Sequence, residues 1–142
     1  MISVERFRLP FLLPAFNELE AASRRRTGAG GRSNAYADLK RELQPAIVGY
    51  ILKAKLRPLL PGVSLLFTWW ERDRRRDPLD VRPACKLILD ALSACDRPGD
   101  RQAMRAGIIH CDGWHCVAGV SDVFRVDAER PGVEVAVYGV RS

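Results

Sequence analysis

"VSLLFTWWERDRRRDPLDVRPACKLILDALSAC", residues 63–95, decides the fold. Residues 63–70 are β-branched, aromatic and almost free of polar groups, which predicts a central strand. Trp69 and Trp70 are then directed to opposite faces of the sheet. A charged loop over 71–77 follows at once, held at the end of that buried strand. A helix fits 82–95, with Pro83 in its first turn and Ala84, Leu87, Ile88, Ala91, Leu92 and Cys95 as its apolar stripe. Asp80 is the expected N-cap of this helix. Lys86 and Asp90, four apart, share one of its faces.

Outward from this unit, residues 3–9 alternate loosely enough for a first strand. Pro10 and Pro14 stiffen the connection that follows. Residues 22–33, "ASRRRTGAGGRS", read as a flexible basic loop, either a plain connector or an arm that settles on phosphates. A helical pattern then runs from Ser33 or Asn34 to about Lys55, and Pro45 is expected to kink or restart it. Two strands, Trp114–Val126 and Val133–Val140, close the chain, joined by a hairpin turn at Glu129–Gly132. The order is β-α-β-α-β-β in one domain, 1–142. The fold class is α+β, a small mixed sheet with both helices packed mainly on one face.

Hydrophobic residues make up 47% of the chain, enough to exclude disorder as a whole. The formal charge of +6 suits a polyanionic partner, and arginine's planar fork fits phosphate oxygens better than lysine does. No apolar run approaches the ~20 residues of a membrane span, and no signal peptide is apparent, so a cytoplasmic setting is expected. In that setting the four cysteines, 85, 95, 111 and 116, are expected as free thiols. His110, Cys111, His115 and Cys116 invite a zinc reading, but their spacing matches no CxxC or HxxxH pattern.

The arginine run Arg74–Arg76 with Asp77 and Asp80, and Asp112 some thirty residues on, combines phosphate-seeking cations with ligands for a hard metal ion. The alternative is a solvated loop whose charges pair weakly among themselves. Residues 73–92, "DRRRDPLDVRPACKLILDAL", followed by "AGIIHCDGWHCVAG" (106–119) and "PGVEVAVYGV" (131–140), resemble the RusA family of Holliday-junction resolvases. "LPFLLPAFNEL" (9–19) and "YADLK" (36–40) add weaker support in the same order. On this resemblance Asp77 matches the first aspartate of the Arg-Asp-x-Asp-Asn stretch. Leu79 falls where the second belongs, and Asp80 is expected to replace that lost ligand. Lys86 matches the helix lysine, Asp90 the following aspartate, and Asp112 the second member of an Asp-Asp pair whose first is here Cys111.

The resemblance implies a Mg²⁺-dependent endonuclease, with Mn²⁺ as a substitute, that resolves four-way DNA junctions during recombination and repair. Asp77, Asp80 and Asp112 would hold the ion, and Lys86 would face the scissile phosphate or attacking water. Read without the resemblance, Lys86 is a surface lysine paired with Asp90. Arg74, Arg75, Arg76 and Arg82, with Arg24, Arg25, Arg26 and Arg32, would contact phosphates. Symmetrical nicking implies a homodimer, and the family implies a nucleoid-associated protein of phage or prophage type. Two rivals stand beside it: a catalytically degenerate protein that grips branched DNA, and a zinc-stabilised interaction module.

Overall fold

The computed structural model describes residues 1–15, 35–94 and 105–142. Its elements are β1 (Ser3–Leu9), α1 (Ala35–Lys53), β2 (Val63–Glu71), α2 (Pro78–Val81), a 3₁₀ turn (Arg82–Ala84), α3 (Cys85–Leu92), β3 (Val117–Val126) and β4 (Gly132–Gly139). The fold is α+β, and its four strands form one mixed sheet in the order β1-β4-β2-β3. Strand β4 is antiparallel to both β1 and β2, while β3 runs parallel to β2.

Period-2 patterning places the core. Along β2, Val63, Leu65, Phe67, Trp69 and Glu71 are buried while Leu66, Thr68 and Trp70 are half-buried, so one face is sealed more completely. The sealed side joins Leu9, Phe67 and Trp69 to Ile47, Val48 and Ile51 of α1 and to Leu87, Ile88 and Leu92 of α3 in one core. The two helices also pack on each other.

Several details depart from the sequence reading. Residues 117–126 and 132–139 are strands as expected, but they form no hairpin: β4 lies on the far side of β2 from β3. Glu129 and Arg130 instead donate backbone N–H groups to the Asp127 carboxylate, which shapes the connection. The turn ends at Gly132, where a Cβ would lie 2.2 Å from the carbonyl oxygen of Leu9, so only glycine lets β4 approach β1 there. Strand β3 starts at Val117 rather than Trp114, whose indole is fully exposed. Helix α1 continues through Pro45 as a single element. Asp80 is no N-cap; it lies inside α2, whose cap position is Asp77, and Asp77 uses its backbone carbonyl to accept from Asp80 and Val81. The loop 22–33, the cap at Ser33 or Asn34, and Cys95 lie outside the described residues.

Candidate functional site

Helix α3 sets the first part of the site. It buries Leu87 to Leu92 against the core, which leaves Lys86 on its rim and turns Asp90 into a cleft between α3 and α1. A buried carboxylate needs partners. Asp90 is 5% exposed and has them: Lys40 of α1 sits 2.6 Å from Oδ2, and Lys86 sits 3.5 Å from Oδ1.

The loop after α3 brings the next residue. Ala106, Gly107, Ile108 and Ile109 donate backbone N–H groups to carbonyls of residues 91–93, and this lays the chain back over the end of α3. It delivers Asp112 to Lys86, whose ammonium donates to Asp112 Oδ2. Two residues 26 apart in sequence are thereby joined. That hydrogen bond outweighs partial burial and pulls the Asp112 carboxyl down to about 2. Loss of some surrounding water alone would lower Lys86, but the Asp112 hydrogen bond and the Asp90 charge leave it above its usual value. At neutral pH the pair is an ammonium and a carboxylate.

These residues line a hollow of about 230 Å³ with Arg105 and His110. Lys40, Lys86 and Arg105 set three cations against the carboxylates of Asp90 and Asp112, so the hollow favours an anion.

Asp77 lies elsewhere. It lines a larger hollow, about 510 Å³, at the carboxyl ends of β2 and β3, with Trp70, Glu71, Asp73, Arg74, Arg76 and Phe124. Asp80, half-exposed in α2, lines neither hollow. Among the described residues no three His, Cys, Asp or Glu side chains come together as a set that could hold a metal ion. A shared Mg²⁺ on Asp77, Asp80 and Asp112 therefore does not fit this arrangement. Among the described residues His110, Cys111, His115 and Cys116 do not form such a set either, and there the thiols are not free: Cys111 and Cys116 form a disulfide, with Cα atoms 5.5 Å apart. Cys85 is a free thiol, and burial, the first influence on it, raises its pKa.

The expected phosphate-binding arginines divide. Arg76 grips the buried Glu71 carboxylate with two bonds of 2.6 and 2.9 Å and donates to the Leu13 carbonyl, which makes it a clamp on the sheet's end. Arg82 donates to Asp122 at 2.5 Å, and that hydrogen bond is the first cause of its raised pKa. Arg75 meets Asp73, 3.6 Å away at the surface. Arg24, Arg25, Arg26 and Arg32 lie outside the described residues.

Lys40, Asp122 and the Cys111–Cys116 pair escaped the sequence reading. Asp122 was the most detectable, because an aspartate inside a strand is disfavoured unless something holds it. Here Trp69 Nε1 donates to it at 2.7 Å from one side and Arg82 from the other. No protein-family model matches the chain, and no curated protein matches it either.

Proposed function

We propose that this chain acts on branched DNA as a structure-selective endonuclease of resolvase type, with its centre at Lys86 and Asp112. The observation that carries the reading is the meeting of these two residues in a cation-rich hollow. The resemblance to the RusA family assigns both residues to one site independently of their contact. Phosphodiester hydrolysis builds negative charge on the phosphoryl oxygens, and Lys40, Lys86 and Arg105 line a hollow suited to receive it. Asp112, ionised far below neutral pH, can accept a proton or orient a water but cannot act as an acid there.

A divalent-ion requirement belongs to the same proposal. Mg²⁺ takes one or two protein carboxylates when phosphate and water complete its shell, and Asp90 and Asp112 are the pair lining this hollow. Both carboxylates already answer ammonium groups, so an ion there would have to displace Lys86 from Asp112 and Lys40 and Lys86 from Asp90, and it would enter only with the phosphate that those cations attract. A four-way junction carries two-fold symmetry, so paired nicks call for two copies of the site and a homodimer in the cytoplasm, at the nucleoid.

The failure of Asp77, Asp80 and Asp112 to gather favours a second reading, a protein that holds branched DNA without cutting it. One assay separates the two. A labelled synthetic four-way junction is incubated with the protein in Mg²⁺, Mn²⁺ or chelator. Paired nicks that need the metal and disappear in Asp112→Asn and Lys86→Met support the nuclease. Retarded junction with no nicking in either metal supports the binder.

A further inference from the structure

We propose that the hollow at the carboxyl ends of β2 and β3 receives one unpaired nucleotide of a DNA strand, its base stacked on aromatic side chains. The inference rests on the branched-DNA reading and deepens it, because strands leave their duplexes at branch points. Strands β2 and β3 are parallel, and their carboxyl ends with the following loops form an open crevice of the kind that parallel strands offer to ligands. At about 510 Å³ it is large enough for a nucleotide.

Its walls suit a flat ring. Trp70, on the less sealed face of the sheet, carries the Arg125 guanidinium 5.9 Å from its ring centroid. Phe124 and Val126 remain 37% and 47% exposed, an unusual outlay of apolar surface beside charged loops. Trp70 Nε1 is buried, a donor that no described residue satisfies.

The charges around the hollow are balanced in number but not in availability. Glu71 is taken by Arg76, and Asp73 accepts from the Arg75 backbone N–H at 2.9 Å. Arg74 and Arg125, exposed and lining the hollow, are left for a phosphate, and Asp77, exposed on the same lining, for amino or imino groups of a base. A base with one phosphate uses all of these; a bare anion would leave the aromatic wall idle. This gives Asp77 a role other than metal ligation.

The test compares a twelve-nucleotide oligothymidine, the paired duplex of the same length, and thymidine monophosphate, with the four-way junction measured in parallel. Phe124→Ala and Arg125→Ala are surface substitutions, and quenching of tryptophan emission in the unaltered protein gives a readout that needs no variant. Expected are quenching by the oligonucleotide, binding about tenfold weaker in each variant, and little change for the duplex. Equal affinity in the variants, or no quenching, overturns the pocket while junction binding leaves the wider reading intact. Loss of junction binding in the unaltered protein with oligonucleotide binding retained does the reverse. A mononucleotide that binds as tightly as the strand overturns the assignment to DNA strands.

Discussion

Asp112 is held ionised because Lys86 donates to it, and this ties the stability of the loop after α3 to pH. Its carboxyl is depressed from an ordinary value near 3.8 to about 2, so the stabilisation is complete above the unfolded value and disappears as pH falls through about 2. Lys86 works in the opposite sense: its raised pKa contributes below the ordinary lysine value and is lost as pH rises through the folded one. The contribution is about 1 kcal/mol once water around the half-exposed lysine is allowed for. Urea denaturation of wild type and Asp112→Asn at pH 5 and pH 2.5 checks this, since the variant should show a smaller difference between the two. An unchanged difference would mean the pair contributes nothing to folding. Arg76 makes a larger claim. It is the bidentate partner of Glu71, a carboxylate buried in the core-facing series of β2. Arg76→Ala strands that charge and should cost about 3 kcal/mol, measured as a fall in the urea midpoint. Replacing Glu71 by Gln in the same background should recover much of the loss.

At the scale of elements, the segment between α3 and β3 is the part of the site most dependent on neighbours. The Cys111–Cys116 bond closes a loop that contains Asp112, while Gly62 and Val63 donate backbone N–H groups to the Cys116 carbonyl and fix its far end on β2. Alkylation without reductant, followed by mass spectrometry, should leave residues 111 and 116 unmodified and label Cys85 after denaturation. Cys111→Ser with Cys116→Ser should loosen the loop and make amides 111–116 exchange faster, with the core of β2 and β4 unchanged. The contrast with β2 explains what could be read from the chain alone. Residues 63–71 declare themselves through largely apolar, β-branched and aromatic patterning, and α3 through a stripe at three- and four-residue spacing, because both are local periodicities. The pairing of β4 with β2 rather than β3 is a choice among neighbours, which no local period encodes. The same limit applies to the site: Lys86 and Asp112 were legible as candidates, but Lys40 reaches Asp90 only through the packing of α1 on α3. Free thiols at 111 and 116 follow from compartment alone, whereas two Cα atoms 5.5 Å apart in a tight loop make a disulfide a matter of local geometry.

For the molecule as a whole, the question is how much of the +6 charge is free to meet a polyanion. Among the described arginines that the charged loop suggested for phosphate, Arg76 is spent on Glu71 and Arg82 on Asp122, which leaves Arg74 and Arg75 on the surface, joined by Arg125 at the rim of the larger hollow. Counterion release makes this a measurable number, because the logarithm of the binding constant falls with the logarithm of salt by about 0.9 per neutralised phosphate. Three such contacts per chain, before any made in the hollow at Lys86, predict at least a roughly 40-fold loss of junction affinity between about 50 and 200 mM salt, and a two-fold assembly with two engaged copies predicts about the square of that. Fluorescence anisotropy across that salt range gives the slope, and light scattering at the same concentrations gives the copy number. Arg74→Ala should reduce the slope by about one contact per chain. Arg82→Ala, whose guanidinium already answers Asp122, should leave the slope unchanged while lowering the urea midpoint, since it uncovers a carboxylate that is only 7% exposed. A slope that responds equally to both substitutions would show that the Asp122 pair opens to meet DNA, and the division between structural and DNA-facing arginines would then fail.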